Sequence, residues 1–306
     1  MKNLNNLNQN DNFKSGVVAL IARPNAGKST LLNKILNQKI AITTSLKQTT
    51  RKNLKGIYTD DNSQIIIIDT PGVHKPINEL GKYLSSQTKK AIENVDLILF
   101  IADGTVPCGL GDKWIYDNYL KNAKAPVLLV LNKADLIKDI TKRDVNLYTY
   151  KKLFEGTVIT SIISAKTGRN IDELIKKIKT HLPYGEKHYD EDIISDTNYR
   201  EMISETIREK IIINTKDEIP HSVAVMVEKY EELDTLDKIR AIIIVNNESQ
   251  KGILIGKNGS MLKKIGKSAR EDFEKNIEKK VFLELFVKVQ KNWLKNKNLI
   301  REFGFE

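Results

Sequence analysis

The sequence is poor in residues that stabilise small secreted proteins and in segments that enter membranes. It has one cysteine, Cys108, in 306 residues, which excludes an internal disulfide. No apolar run is long enough to predict a membrane-spanning helix. The N-terminus, MKNLNNLNQNDNFKS, is rich in Asn and lacks the apolar region of a secretory signal. We therefore expect a cytoplasmic protein.

Charge is distributed unevenly along the chain, whose formal net charge is +11. Residues 1–189 carry 29 Lys and Arg against 17 Asp and Glu, and residues 190–250 carry 7 against 15. Residues 251–301 reverse the balance, with 14 against 5. A basic segment that directly follows an acidic one favours a local anionic partner over a uniformly solvated surface.

Two domains are predicted from the order of apolar patterns. Over residues 16–181, β-rich runs alternate with helical periodicity, which predicts an α/β domain with a mostly parallel sheet and helices on both faces. The predicted strands are GVVALIA, IIIID, DLILFIAD, APVLLVLN and TVITSI. Residues 1–15 are predicted to be a disordered tail. Residues 182–196 are polar and turn-forming, which is typical of a linker.

Residues 197–306 have a different pattern. A helix over residues 197–213 precedes two strands, SVAVMVEKYEE and DKIRAIIIVNN. A glycine-bearing turn, a long helix and a strand, VFLELFVKV, follow. This order predicts a separate α+β domain.

A phosphate-binding loop follows the first predicted strand. The run ARPNAGKST opens a helix, so its backbone N–H groups and the helix dipole can cradle phosphates. Lys28 can reach the β- and γ-phosphates, and the Ser29 hydroxyl can bind Mg²⁺. Ala22 replaces the usual first glycine, and we expect slight strain if the loop needs a positive φ there. The predicted binding residues are Ala22, Arg23, Pro24, Asn25, Ala26, Gly27, Lys28 and Ser29.

A second phosphate motif, DTPG, ends the strand IIIID. Asp69 is placed to hold Mg²⁺ through a water molecule, and the N–H of Gly72 can meet a γ-phosphate. The predicted nucleotide-binding residues here are Asp69, Thr70, Pro71, Gly72 and Val73.

The segments NKAD and SAK, each after a strand, predict a guanine site. A carboxylate at Asp135 can accept hydrogen bonds from N1–H and the 2-amino group of guanine, whereas adenine would leave it unpaired. GTP is therefore favoured over ATP. The backbone of SAK could support the guanine O6 side. The residues predicted for this site are Asn132, Lys133, Ala134, Asp135, Ser164, Ala165 and Lys166.

Between these motifs, the segment QTTRK predicts a nucleotide-dependent loop. Thr49 or Thr50 could supply a second hydroxyl to Mg²⁺ when a γ-phosphate is present, and we favour Thr50. Loss of the γ-phosphate would release the loop, which makes it a switch. In the GDP state the same segment would be a solvated polar loop. The predicted switch I residues are Gln48, Thr49, Thr50, Arg51 and Lys52.

Hydrolysis is predicted to be slow without a partner. Lys28, Thr50 and Gly72 are the predicted catalytic residues, but Val73 occupies the place of a water-orienting glutamine and cannot orient water. Two roles are possible for Asn25. In related GTPases an Asn at this place helps to bind a potassium ion that acts like an arginine finger; alternatively, Asn25 only caps the loop.

A GxxG loop precedes a basic helix in the second domain. Such a loop lets the backbone of single-stranded RNA approach closely, and lysines nearby can contact phosphates. The alternative is a helix-connecting turn with a solvated lysine face; the basic bias and the attached nucleotide domain favour RNA. Met261, Leu262, Ile265 and Phe273 are predicted to be core. The predicted RNA-binding residues are Gly256, Lys257, Asn258, Gly259, Lys263, Lys264 and Lys267.

Taken together, these motifs resemble the Era family of bacterial ribosome-assembly GTPases. The resemblance rests on ARPNAGKST, QTTRK, DTPGVHKP, NKAD, SAKTG and LIGKNGSMLKKIGKSAR, and it runs from about residue 17 to residue 305. It implies a GTPase domain and a type II KH domain that binds near the 3′ end of small-subunit ribosomal RNA during late 30S assembly. It also implies some peripheral membrane association. We expect a monomer and no DNA partner.

The sequence disfavours two alternatives to this resemblance. Other GTPase families with the P-loop Asn carry either a second GTPase domain or a C-terminal cysteine motif, whereas this chain has one P-loop and no cysteine after Cys108. An RNA-binding protein with a degenerate nucleotide domain is disfavoured because the chain retains its phosphate, Mg²⁺ and guanine residues.

Overall fold

The computed structural model describes residues 12–43, 50–215 and 219–305. By their internal contacts these residues divide into two units. Of the described residues, the first comprises 12–41, 50–75 and 84–196, and the second comprises 42–43, 76–83 and 197–305. Within these ranges, no helix is both long and apolar enough to cross a membrane.

The first unit is built on a six-stranded sheet of order β2-β3-β1-β4-β5-β6. All neighbouring pairs are parallel except β2 and β3, which are antiparallel. The predicted α/β fold with a mostly parallel sheet is confirmed. The strands are β1 (Lys14–Ala22), β2 (Leu54–Asp60), β3 (Ser63–Asp69), β4 (Leu97–Asp103), β5 (Val127–Asn132) and β6 (Ile159–Ile162).

Helices cover both faces of this sheet. Alternating side chains of β1 divide between the two faces: Leu20 enters a core with Leu31 and Leu174, and Ile21 enters a second core with Tyr150. The helices are α1 (Lys28–Leu36), α2 (Glu79–Glu93), α3 (Leu110–Ile115), α4 (Ile140–Lys151) and α5 (Ile171–His181), and a π-helical turn, Tyr116–Leu120, continues α3.

Strand β2 was not predicted from the sequence. Its residues, LKGIYTD, contain few apolar side chains, and most of them are only partly buried. The strand forms the antiparallel edge of the sheet, where one face need not enter a core. Its register with β3 pairs Leu54 with Asp69, so β2 follows the switch segment directly and begins beside the carboxyl end of β3.

The residues predicted as tail and linker are partly built into the first unit. Strand β1 begins at Lys14, and Ser15 donates its N–H to the Pro183 carbonyl at 3.1 Å. Further on, the N–H of Ile57 in β2 donates to the Ile194 carbonyl at 2.8 Å. Residues 183–196 therefore run along the sheet rather than away from it.

The second unit is an α+β module with a three-stranded sheet of order β7-β8-β9. Strands β7 and β8 are antiparallel, whereas β8 and β9 are parallel. Helix α8 was not distinguished from a strand in the sequence, because its apolar residues GILI suit either structure. The elements are α6 (Tyr199–Asn214), α7 (Ile219–Ser222), β7 (Ala224–Glu232), β8 (Leu236–Val245), α8 (Glu248–Ile255), α9 (Ser260–Ile277), β9 (Lys280–Val289) and α10 (Lys297–Glu302).

Helices of this unit cover one face of its sheet. Ile207 of α6, Ile265 and Phe273 of α9, and Ile239 of β8 are buried in one apolar core. Met261 and Leu262 pack against that core from its rim. Beyond β9 the chain is held by Trp293, which is fully buried and donates its indole N–H to the Ser222 carbonyl at 2.9 Å.

Candidate nucleotide and RNA sites

The phosphate-binding loop connects β1 to α1, with Ala22 as the last strand residue. Ala22 is fully buried and pairs with Ile101 of β4, and it is not among the residues with a positive φ. The strain expected at Ala22 is therefore absent, because Ala22 keeps the extended conformation of the strand. Instead, Asn25 (φ 66°) and Gly27 (φ 99°) adopt the left-handed region.

Gly27 is required by the close approach of Asn132. A Cβ at Gly27 would lie 2.3 Å from Asn132 Nδ2. The Asn132 amide donates to the Ala26 carbonyl at 2.8 Å and accepts from the N–H of Ala165 at 2.9 Å. One buried side chain thus joins the phosphate loop, the NKAD segment and the SAK segment.

The base-recognition residues lie together at the carboxyl ends of β5 and β6. Asp135 is exposed, and its Oδ1 accepts the Ser164 hydroxyl at 2.6 Å. Ala134 is nearly buried, and its N–H donates to the Ile163 carbonyl at 3.0 Å. Lys166 is exposed beside them. This arrangement fixes one oxygen of the carboxylate, and the exposed side chain can present the other to a base.

Asp103 is a residue of this site that the sequence analysis missed. It ends β4 beside Asn132, and its Oδ2 lies 2.6 Å from Lys133 Nζ. Burial raises the pKa of Asp103, but hydrogen bonds from Lys133 and Thr105 outweigh burial and leave it below its ordinary value. The rule that carboxyl ends of parallel strands share one edge could have identified Asp103.

Three oxygens expected to surround Mg²⁺ converge at the start of α1. The Ser29 hydroxyl donates to Asp69 Oδ2 at 2.6 Å and lies 3.0 Å from Thr50 Oγ1, which is 3.3 Å from the same carboxylate oxygen. The other oxygen, Asp69 Oδ1, is buried without a hydrogen-bond partner among the described residues. An unpaired buried acceptor is costly unless something donates to it, so these residues fit a hydrated Mg²⁺ ion.

Burial destabilises the charged forms of both Lys28 and Asp69 at the phosphate site. The pKa of the buried Lys28 is lowered by desolvation, against the opposing charge of Asp69. The pKa of Asp69 is raised by desolvation, against Lys28, Ser29 and Thr50. Phosphate oxygens beside Lys28 and a cation beside Asp69 would each favour the charged form.

Hydrogen bonds tie the DTPG segment and Val73 to the end of β1, where the phosphate loop begins. The Thr70 hydroxyl donates to the Leu20 carbonyl at 2.6 Å, and the N–H of Val73 donates to the Ala22 carbonyl at 2.9 Å. A Cβ on Gly72 would lie 3.1 Å from Pro24 Cα. The buried Val73 has no polar side-chain atom for a water molecule.

Switch I is described only in its second half. Gln48 and Thr49 lie outside the described residues, whereas Thr50 lies at the Mg²⁺ site as preferred. Arg51 is buried with 1% of its surface exposed, and Lys52 is half-buried. The choice between Thr49 and Thr50 therefore stays a prediction.

Arg23 in the phosphate loop makes a contact that no sequence pattern indicated. Its Nη1 lies 2.9 Å from Oδ2 of Asp112 in α3, a carboxylate with 2% of its side chain exposed. The same oxygen accepts the N–H of Gly109 at 3.0 Å. Nearby, burial raises the pKa of Cys108 to about 11, so the thiol stays neutral and unreactive at neutral pH.

The predicted RNA-binding loop joins α8 to α9. Gly256 (φ 71°) is closely packed, because a Cβ there would lie 2.8 Å from Met261 Cβ. Gly259 (φ 77°) faces open space, with nothing within 4 Å of a Cβ built on it. Asn258 between them also has a positive φ, 53°. The predicted lysines are all exposed, namely Lys257, Lys263, Lys264 and Lys267.

Fold and site together define a P-loop GTPase domain followed by a KH domain. Residues 17–133 match the family model described as 50S ribosome-binding GTPase, and residues 218–294 match the KH domain model. The chain is 45% identical over 294 residues to GTPase Era of Nostoc sp., covering 96% of this chain and 90% of that protein. The chain therefore belongs to the GTPase Era family, and it is a GTPase.

Solved structures agree over the same length. A crystal structure of Era in complex with MgGDPNP and nucleotides 1506–1542 of 16S ribosomal RNA matches with a TM-score of 0.93 and 37% identity, covering 96% of this chain and 99% of that one. A tyrosine-to-alanine variant of Aquifex aeolicus Era bound to GDP·AlF4⁻ matches with a TM-score of 0.92, 37% identity and the same coverage.

Proposed function

We propose that this protein is a GTP-controlled switch that binds small-subunit ribosomal RNA near its 3′ end and assists assembly of the 30S subunit. The GxxG loop carries the proposal. Open space over Gly259 lets a sugar–phosphate backbone approach at the start of α9, and the loop and the N-terminal half of α9 carry four exposed lysines. The matching Era structure that holds nucleotides 1506–1542 of 16S ribosomal RNA supports this choice of RNA.

Control by nucleotide is proposed to act through Mg²⁺ and switch I. Ser29, Thr50 and, through water, Asp69 would hold the ion, which neutralises phosphate charge. Lys28 and the N–H of Gly72 would bind the γ-phosphate from two sides. Because Thr50 belongs to a loop and not to the sheet, loss of its contact to the ion on hydrolysis would free the segment before β2.

Potassium is proposed as a further activator of hydrolysis. Asn25 is exposed at a positive φ in the phosphate loop, and the buried Val73 leaves the water-orienting role unfilled. A monovalent cation beside the phosphate loop would supply charge where an arginine finger does in other GTPases.

The proposal also covers where the protein is located and whether it forms oligomers. We infer a monomer in the cytoplasm that has no DNA partner and associates peripherally with the inner face of the cell membrane. The exposed lysines of α9 and the basic bias of residues 251–301 support contact with an anionic surface. Cell fractionation tests this part: the protein should divide between the soluble and membrane fractions, and a high-salt wash should release the membrane-bound share.

The experiment that tests RNA binding substitutes the two loop glycines. Gly259→Asp places a carboxylate where phosphate would lie, in a conformation that Asp tolerates better than most residues and with open space around it. It should abolish tight binding of a 3′-terminal small-subunit RNA while RNA-free GTP hydrolysis stays near the parent rate. Gly256→Asp should also abolish binding, but partly by displacing Met261. The variant that combines Gly256→Asp and Gly259→Asp is therefore checked for folding before its RNA binding is measured.

A lysine variant separates phosphate contact from loop shape. Lys263→Ala with Lys264→Ala should weaken binding of all RNA sequences alike and flatten its salt dependence by up to about two phosphate contacts. A folded Gly259→Asp protein that keeps its affinity would show that the RNA surface lies elsewhere. Equal affinity for fragments of large-subunit RNA would instead contradict the choice of the small subunit.

A further inference from the structure

One face of the second unit's sheet carries two half-exposed aromatic rings, although Ile244, farther along β8 on the same face, is buried with 2% of its surface exposed. Side chains on β8 and β9 alternate: Ile239, Ala241 and Val281 point into the core with α6 and α9, and their neighbours point away. Phe282 and Phe286 are 51% and 50% exposed. We call this surface the open face and define it by Lys238, Arg240, Phe282, Glu284, Phe286 and Lys288.

Each ring on the open face has a cation beside it. In the parallel register Lys238 lies opposite Phe282. The guanidinium of Arg240 sits 5.7 Å from the centre of the Phe286 ring, and its Nε is 3.1 Å from Glu284. The rings are four residues apart on one strand, about 13 Å. They therefore cannot share one flat ligand.

We propose that the open face is a second binding surface for single-stranded RNA, on which bases stack against Phe282 and Phe286 while Lys238 and Arg240 meet the adjoining phosphates. Exposed rings with neighbouring cations are the usual platform for unpaired bases. The β7 residues Lys229 and Glu231 lie opposite Arg240 and Lys238 and share this face. Together the three strands present five cations on it, Lys229, Lys238, Arg240, Lys280 and Lys288, against two carboxylates, Glu231 and Glu284, which pair with Lys229 and Arg240. That excess suits a polyanion. A protein partner is less suited, because lysine is depleted at protein interfaces.

The position of β9 lets one RNA strand reach both surfaces. Strand β9 is the edge of its sheet. Helices α8 and α9, which flank the GxxG loop, pack against β9 from the covered side. An RNA strand leaving the loop would meet no further strand on its way over the edge to the open face. This inference rests on the proposed RNA binding at the GxxG loop and extends the length of RNA held.

The test compares a short and a long oligonucleotide on the full chain. A single-stranded RNA of about five nucleotides fills the GxxG groove alone, whereas one of about fifteen can continue to the open face. Phe282→Leu with Phe286→Leu keeps apolar bulk but removes the flat rings. This variant should bind the long RNA on the order of tenfold or more weakly and the short RNA as the parent does. Ultraviolet crosslinking of the long RNA should label peptides of β9 in the parent only.

Matched variants separate the possible outcomes. Ile213→Ser removes an equally exposed apolar side chain from α6 and should change neither affinity. Gly259→Asp should weaken both RNAs. If the parent binds neither RNA, the proposed function itself fails. If the parent binds both and the Leu variant matches it, with no β9 crosslink, the open face does not bind RNA. In that case a double variant, Phe282→Ser with Phe286→Ser, is compared with the parent. If it loses a protein partner that the parent binds, the open face is a protein-docking surface instead.

Discussion

Arg23 of the phosphate loop and Asp112 of α3 form an ion pair of 2.9 Å across 89 residues of sequence. The carboxylate is almost fully buried, while the arginine keeps 44% of its side-chain surface exposed. A buried carboxylate with fixed donors is a rigid anchor. The pair therefore fixes the outer side of the phosphate loop to the segment that follows β4.

Asp112→Asn should weaken GTP and GDP binding together. The amide can still accept the N–H of Gly109, but it loses the charge that holds Arg23. We expect the binding free energy of each nucleotide to weaken by about 1 kcal/mol, since the arginine is partly screened by solvent. Fluorescent-nucleotide titration measures both affinities. The control is Lys229→Ala, which removes an exposed ion pair with Glu231 of β7 and should change neither. Lowered stability with parental affinities would show that the pair supports only α3.

Asp135→Asn should exchange guanine for xanthine specificity. The amide can still accept the Ser164 hydroxyl, so the local fold should persist. It can donate to the 2-oxo group of xanthine, whereas the 2-amino group of guanine would face a donor. Binding of GTP should fall about a hundredfold, and binding of xanthosine triphosphate should rise. Calorimetry with both nucleotides measures this. A variant that binds GTP as tightly as the parent does would refute the assignment of Asp135.

Replacing potassium with sodium should slow hydrolysis at least about tenfold, because the ion would act only beside the γ-phosphate. GDP affinity should stay nearly unchanged. Asn25→Ala should remove the difference between the two salts. Phosphate release at constant ionic strength measures the rates. Equal rates for the parent in both salts would exclude a potassium role.

The ion pair between Asp103 and Lys133 should make the free energy of unfolding depend on pH in the acid range. The folded-state pKa of Asp103 is below its ordinary value. Ionised Asp103 therefore stabilises the fold above its unfolded pKa of about 4, and this contribution is lost as pH falls through the folded pKa. The free energies of unfolding of the parent and of Asp103→Asn, measured in urea, should differ by less than about 1 kcal/mol near pH 6, and the two should converge as pH falls below about 4. A difference that does not change with pH would contradict this account.

Most of the nucleotide site could be predicted because its residues follow strands that have a clear apolar pattern in the sequence. Asp69, Asn132 and Ser164 each come after an apolar run, and parallel strands bring such ends together. Asp112 could not be predicted, since its role depends on how α3 packs beside the phosphate loop. Strand β2 escaped detection because an edge strand needs only a weak apolar pattern.

The second unit shows a similar limit. The GxxG loop and the basic helix were visible in the sequence, but the two glycines looked equivalent. Only the structure separates Gly256, packed against Met261, from Gly259, which faces open space. The run VFLELFVKV was predicted only as a strand, because apolar side chains on both faces give no sign of which face is covered. The structure shows that Phe282 and Phe286 lie on the exposed face.

Residues 183–196 have a consequence for any attempt to isolate the GTPase domain. They occupy the edge of β2, where Ile194 accepts from Ile57, and the N–H groups of His188 and Tyr189 donate to the buried Gln64 side chain at 2.7 and 3.0 Å. A fragment that stops at His181 would bare a strand edge able to pair with another molecule, and such edges promote aggregation. A soluble, well-behaved fragment should therefore extend through residue 196, although the last helix of the domain ends fifteen residues earlier.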